Sequence, residues 1–108
     1  MIRLLYFSTA RGHVGTAEVD DIVAHASQKN EALGITGALA YNGRNFCQLL
    51  EGEEGAVMGL LQEIEADPRH GGFKLLDQKE ILKRHFPDWS MRRVRDLDFS
   101  VVINAMHA

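Results

Sequence analysis

Cysteine, proline and tryptophan are scarce in this chain of 108 residues, which has one Cys, two Pro and one Trp. The lone Cys47 excludes an intramolecular disulfide, and its apolar neighbours favour an inert buried thiol over a nucleophile. No apolar run approaches the roughly 20 residues of a membrane span. The first ten residues lack the cleavage-site pattern of a signal peptide. We therefore expect a cytoplasmic protein with no membrane segment.

A strong excess of charge of one sign is also missing. The net charge is −3, from 12 Lys and Arg against 15 Asp and Glu. That balance gives no general attraction to nucleic acid or to anionic membranes. No two of the histidines have a recognised metal-ligand spacing, so we expect no metal site. The sequence also contains no P-loop, dinucleotide fingerprint or nucleophile elbow, which excludes several large enzyme classes.

The hydrophobic pattern predicts an α+β fold in one domain. Apolar residues at helical spacing predict helices over 16–34 and 53–66, and strand formers predict strands at 2–8, 35–41, 44–51, 73–82 and 89–95. The order is β-α-β-β-α-β-β. A hairpin between two helices suggests a ferredoxin-like sandwich, with a mixed five-stranded sheet and both helices on one face. We expect the domain to cover 1–96, with 97–108 as a tail that either adds a short helix or frays.

A turn signal separates the second and third strands. Asn42 and Gly43 both tolerate positive φ, so an Asn-Gly pair between two apolar strands predicts a tight hairpin.

Two polar side chains occupy core-facing positions on the predicted strands. Alternation places Tyr6 on the apolar face of the first strand and Gln48 on that of the third. Burying such groups without partners costs about 1–3 kcal/mol, so we expect them to bond to each other. Taken alone, the pair is better explained by a structural hydrogen bond in the core.

Other notable residues also have ordinary explanations when taken singly. Asn30 can simply end the first helix, and the segment 67–70 can be a polar helix exit. Trp89 and Met91 can fill the core from one face of the last strand.

Taken together, five segments in order resemble the BLUF family of blue-light sensors. They are 3–8 (RLLYFS), 30–37 (NEALGITG), 46–52 (FCQLLEG), 67–70 (DPRH) and 84–91 (RHFPDWSM). Several ordered motifs across most of a chain are far more specific than one short pattern.

The resemblance implies a flavin, usually FAD, between the two helices and over the sheet, with FMN and riboflavin as alternatives. On this interpretation Asn30 holds the polar edge of the ring, and Ile22 and Ile64 sandwich the isoalloxazine. Four further residues would face the ribityl and phosphate end: Lys29, Asp67, Arg69 and His70.

The resemblance also implies a photoactive pair. Tyr6 would supply an electron and a proton to the excited flavin, and the Gln48 amide would rearrange its hydrogen bonds, giving a reversible red shift. Trp89 and Met91 would then relay the signal.

Two departures from the family pattern affect these expectations. A basic residue is common just before the position of Ile64, but this chain has Glu63, which weakens the case for strong phosphate binding. Family members often continue with helices that cover the other sheet face, whereas about a dozen residues remain here. An exposed apolar face would invite a partner or a second copy, so we expect a homo-oligomer or a docking surface.

The leading hypothesis is a photoreceptor without enzymatic turnover that acts on an effector protein in trans. The first alternative is a dark flavin-binding or purely structural module of the same fold. The second is a small ferredoxin-like hydrolase of acyl phosphates, for which the loop at 11–13 is a faint candidate anion site.

Overall fold

The structure is a computed structural model that describes residues 1–10, 15–68, 70–87, 92–94 and 99–107. Its elements are β1 (Ile2–Ala10), α1 (Thr16–Leu33), β2 (Thr36–Tyr41), β3 (Asn45–Gly52), α2 (Glu54–Ala66), β4 (His70–Glu80), β5 (Arg92–Val94) and α3 (Ser100–Met106). The prediction of an α+β fold is confirmed. No helix in the described ranges is both long enough and apolar enough to cross a membrane.

The strands form one sheet in the order β4-β1-β3-β2-β5. The pairs β1–β3, β1–β4 and β2–β3 are antiparallel, and the short β5 lies parallel to β2. Strand β3 is therefore central, and β1 directly adjoins it. Both faces of the sheet are covered at these two strands, so their side chains are buried on either face.

Alternation along β1 and β3 divides the core into two layers. Ile2, Leu4 and Tyr6 of β1 pack in one layer with residues of α1 and α2. Leu5 and Phe7 belong to the other layer, which contains α3. The two long helices thus share one face of the sheet.

The predicted hairpin is confirmed, but its turn differs from the two-residue form. The β2–β3 loop spans Asn42, Gly43 and Arg44, and only Gly43 has positive φ, at 96°. The Asn42 side-chain oxygen accepts hydrogen bonds from the backbone N–H groups of Arg44 and Asn45, at 3.0 and 2.8 Å. These bonds give two backbone N–H groups of the turn an acceptor, and Asn42 itself need not adopt the left-handed conformation.

A third helix covers part of the sheet's second face. From the sequence we expected residues 97–108 to form a tail that either adds a short helix or frays, and we expected a fold with two helices. In the structure Val102, Ala105 and Met106 of α3 are buried against that face. The expectation of an uncovered apolar face is therefore wrong where α3 lies.

A buried ion pair ties this second face together. Arg3 and Glu51 lie opposite each other on β1 and β3, and the Arg3 Nε donates to Glu51 Oε2 at 2.9 Å. The side chains are only 3% and 0% exposed. The Glu51 carboxylate also accepts from the backbone N–H groups of His85 and Phe86, at 2.8–2.9 Å. The pair therefore fixes the segment after β4 to the centre of the sheet.

Candidate functional site

A cavity of about 190 Å³ opens between α1 and α2, above β1, β2 and β3. Among the described residues, its lining contains Tyr6, Ile22, His25, Ala26, Lys29, Asn30, Leu39, Phe46, Gln48, Leu60, Glu63, Ile64 and Asp67. Pockets that enclose a whole drug-sized ligand are larger, at roughly 300–1,000 Å³. The cavity thus suits an inserted ring system whose remaining atoms extend outside.

The buried Tyr6 and Gln48 form a hydrogen-bonded pair at the floor of this cavity. They occupy directly opposed positions of β1 and β3, where cross-strand side chains lie within contact distance. The Tyr6 hydroxyl donates to the Gln48 side-chain carbonyl oxygen. The side chains are 1% and 4% exposed. The expectation that these two polar groups bond to each other is confirmed.

The phenol of Tyr6 is held in its neutral form. Burial raises its pKa far above the ordinary value, and the nearby Cys47 and Asp67 raise it further. Tyr6 also stacks on Phe73 of β4, with ring centroids 4.8 Å apart and the planes at 24°. The hydroxyl is thus a hydrogen-bond donor throughout the working pH range, and its ring is fixed in position.

Asn30 reaches the cavity from the last turn of α1 and is fully buried. Its backbone carbonyl accepts the N–H of Ile35 at 2.8 Å. Gly34, which precedes Ile35, has a φ of 69° and ends the helix in the left-handed conformation that glycine favours. This helix end fixes the Asn30 backbone, so its side-chain amide has a defined place beside the cavity.

Ile22 of α1 and Ile64 of α2 are half-buried and line the cavity from its two helices. Their positions on the apolar stripes follow from helical spacing. They provide apolar surface on both helix walls, which fits a flat aromatic ring better than a charged ligand.

The cavity mouth carries charges of both signs. Lys29 Nζ and Glu63 Oε2 form an ion pair, with side chains 50% and 57% exposed, and Asp67 also lines the cavity. Lys29, which was expected to face a phosphate, is thus paired with Glu63, the acid that departs from the family pattern. An exposed pair of this kind contributes about 0–1 kcal/mol.

Several expected site residues are not tested by this geometry. Arg69, Trp89 and Met91 lie outside the described residues, as does the candidate anion loop at 11–13. The backbone of His70 begins β4. The roles of these residues stay predictions.

Other contributors were missed by sequence reasoning. Phe73 was assigned only to a strand, since its contact with Tyr6 depends on a register shift between β1 and β4. The Arg3–Glu51 pair was also missed, although two charged residues within apolar strands were a signal that a pair was buried. Among the described residues, no group of His, Cys, Asp or Glu could hold a metal ion.

The donor set fits the ring of a flavin. Amide groups of Asn30 and Gln48 each carry donors and an acceptor, which match a ring edge that presents both carbonyl and N–H groups. The two isoleucines supply apolar walls. Burial raises the pKa of the Cys47 thiol to about 11, and this residue packs in the layer with α3, so it offers no competing nucleophile.

Residues 1–92 match the family model described as "BLUF: Sensors of blue-light using FAD". Among curated proteins, the photoactivated adenylate cyclase subunit beta of Euglena longa is 33% identical over 82% of this chain and 10% of its own length. The blue light- and temperature-regulated antirepressor BluF of Escherichia coli (strain K12) is 37% identical over 62% of this chain and 17% of its own length. The chain thus spans less than a fifth of these two relatives.

Two solved structures also match, and this chain covers a larger share of their length than of the two curated relatives. The dark-state structure of BlrB, a BLUF protein, matches with a TM-score of 0.84 and 39% identity, covering 93% of this chain and 76% of that one. The photo-activated state of BlsA matches with a TM-score of 0.84 and 30% identity, covering 98% and 80%.

Proposed function

Because the chain belongs to the BLUF family of blue-light sensors that use FAD, we propose that it is a blue-light photoreceptor whose flavin lies between α1 and α2. The observation that supports this most directly is the buried Tyr6–Gln48 hydrogen bond at the floor of the cavity. A tyrosine and a glutamine serving only the core would not require an adjacent cavity. The proposed activity is sensing without enzymatic turnover.

The proposed roles in flavin binding follow from position in the cavity. The Asn30 amide holds the polar edge of the ring, and Ile22 and Ile64 contact its two faces. Lys29 and Asp67 stand at the mouth, where the ribityl chain would leave the cavity. FAD is the expected flavin, and Arg69 and His70 stay proposed ligands of its phosphate end.

When bound, FAD absorbs blue light and supplies an excited-state oxidant. Tyr6 would provide an electron and, from its hydroxyl, a proton, because its phenol is neutral, buried and fixed by Phe73. Gln48 is suited to respond, since its amide has a donor end and an acceptor end that can exchange places. The electron and proton would return to Tyr6 once the Gln48 amide has rearranged, leaving no net change on the flavin, and reversal of the amide in the dark would make the response reversible. Trp89 and Met91 are the proposed relay.

An absorption spectrum in darkness and after blue light tests this function. We expect a flavin spectrum that shifts slightly to the red and recovers in the dark. Bound flavin without a shift would favour the alternative of a dark flavin-binding module. A colourless protein that cannot be reconstituted with flavin would contradict both.

We further propose that the output passes to an effector protein in trans. One relative is by name a light-regulated antirepressor, and another is a subunit of a photoactivated cyclase, so BLUF relatives are associated with different outputs. A cytoplasmic location and a homo-oligomer are part of the proposal. The exposed Val101 and Ile103 on α3 support self-association, and a monodisperse monomer in light scattering would count against it.

Replacing Asn30 by Ala should weaken flavin binding by about tenfold or more, since a lost buried hydrogen-bonding group is worth about 1–3 kcal/mol. Titration of the apo protein with FAD, followed by flavin fluorescence, measures this affinity. Asn104→Ala is the matched control, because Asn104 is exposed on α3 and away from the cavity. Equal affinities for FAD in the wild type and Asn30→Ala would contradict the role of Asn30.

A further inference from the structure

One arginine joins three elements at the end of the sheet beside the last turn of α1. The Arg84 guanidinium donates to the Gly34 carbonyl at 2.6 Å. It also donates to Thr36 Oγ1 at 2.9 Å and to the Glu51 backbone carbonyl at 3.0 Å. We propose, on the basis of the photoreceptor function proposed above, that Arg84 is a positioning residue for the flavin, because it fixes the end of α1 from which Asn30 reaches the cavity.

The end of α1 is a hydrogen-bonded turn that includes Asn30. The backbone N–H of Ile35 donates to the Asn30 carbonyl at 2.8 Å. The N–H of Gly34 donates to the Glu31 carbonyl at 3.2 Å. These two bonds around a left-handed glycine form a Schellman motif, which satisfies two carbonyls of the last helical turn. Because Asn30 and Gly34 belong to one bonded turn, a displacement of Gly34 also displaces Asn30.

Arg84 supplies the positive charge that this helix end favours. The last turn of α1, residues 30–33, reads NEAL and contains no basic residue, although the carbonyl groups at a helix C-terminus attract cations. A guanidinium is planar and presents its N–H donors in a fixed fork, whereas an ammonium group is a compact point charge. Arg84 can therefore hold α1 and two strands in one geometry, which a lysine would not reproduce.

The frame that carries Arg84 is itself fixed. The backbone N–H of the next residue, His85, donates to the Glu51 carboxylate at 2.8 Å. Thr36 and Glu51 lie opposite each other in the β2–β3 register, so the guanidinium bridges two strands that are already paired. The Arg84 side chain is half-buried. It therefore reaches α1 from the sheet rather than from a free loop.

The contacts of Arg84 relate two amide groups that line the cavity. On α1, Asn30 is four positions before Gly34, whose carbonyl Arg84 holds. On β3, Gln48 is three positions before Glu51, whose carbonyl Arg84 also holds. A ring that bonds to both amides needs them at a fixed separation, because hydrogen bonds weaken steeply as their geometry departs from the optimum. Loss of Arg84 should therefore lower flavin affinity through Asn30.

A double-mutant cycle in FAD affinity tests this role on the full chain after removal of its flavin. Arg84→Ala should weaken FAD binding at least about fivefold, since it removes charge-assisted hydrogen bonds at the end of α1. In an Asn30→Ala background the same change should weaken binding less than about twofold, because the group that Arg84 positions is already absent. Equal losses in the two backgrounds would indicate a general effect on the fold and overturn the proposal.

Three further variants separate positioning from simpler causes. Lys83→Ala removes the neighbouring exposed cation and should leave the FAD affinity unchanged. Val102→Ala destabilises the domain from α3, where Val102 is fully buried, and should leave the affinity of the folded protein unchanged. Arg84→Lys keeps the charge but not the planar fork, so it should restore only part of the affinity. Losses in Lys83→Ala or Val102→Ala as large as in Arg84→Ala, or full affinity in Arg84→Lys, would overturn the proposal.

Hydrogen exchange of the Ile35 amide, measured by NMR in the apo protein, gives a readout that needs no flavin. This N–H donates to the Asn30 carbonyl, and Arg84→Ala should speed its exchange at least about tenfold relative to amides of β3, because the end of α1 opens locally. An unchanged relative rate would overturn the link through α1. A wild type that binds no FAD would instead contradict the photoreceptor function, so the two failures are distinguishable.

Discussion

Tyr6→Phe is expected to leave flavin bound and to abolish the light-induced red shift. The substitution removes only the hydroxyl, and with it the hydrogen bond to the Gln48 carbonyl oxygen. The phenylalanine ring can keep the stacking contact with Phe73 but has no phenolic proton to release. The measurement is the difference spectrum between dark and illuminated samples of the purified holoprotein.

Tyr41→Phe is the control for that experiment. Tyr41 lies on β2 and packs against Phe46 with ring centroids 4.5 Å apart, but it does not line the cavity. The control variant should shift to the same extent as the wild type. A red shift of full size in Tyr6→Phe would contradict the role of Tyr6 as donor.

Glu51→Gln is expected to lower the free energy of unfolding by about 3–5 kcal/mol, because it leaves the buried Arg3 charge without compensation. The amide can also accept fewer of the backbone N–H groups that the carboxylate now holds. This loss is a large part of the roughly 5–15 kcal/mol that stabilises a typical domain. Urea unfolding of the apo protein measures it.

The exposed ion pair supplies a matched comparison, since Glu63→Gln removes a carboxylate from a pair that is half-exposed. That change should alter stability by about 0–1 kcal/mol. Replacing both Arg3 and Glu51 by methionine should recover much of the loss, because two buried charges are then removed together. Similar stabilities for Glu51→Gln and Glu63→Gln would contradict the structural role of the buried pair.

The part of the site that was predictable from sequence depends on local periodicity. A period of two placed Tyr6 and Gln48 on apolar strand faces, and helical spacing placed Ile22 and Ile64 on inward stripes. Each of these strands and helices keeps its regular periodicity along its length, so Tyr6 and Gln48, like Ile22 and Ile64, face the cavity. Asn30 was identified by a motif and is buried there.

The remaining features depend on contacts between residues far apart in sequence. Arg3 and Glu51 meet only because the β1–β3 register places them opposite each other, and a shift of one residue would separate them. Phe73 reaches Tyr6 through a register irregularity between β1 and β4, which no pattern within one strand encodes. Helix α3 has seven residues, too few to be stable alone, so tertiary packing determines whether it forms.

The central strand β3 carries Gln48 towards the cavity and Glu51 towards the segment after β4. They are three positions apart, or about 10 Å along an extended chain. Because alternate residues of one strand belong to different faces, substitutions on one side leave the chemistry of the other side unchanged. Under the proposed function, substitutions facing the segment after β4 could therefore accumulate during evolution, or be introduced by an engineer, while the absorption spectrum is kept.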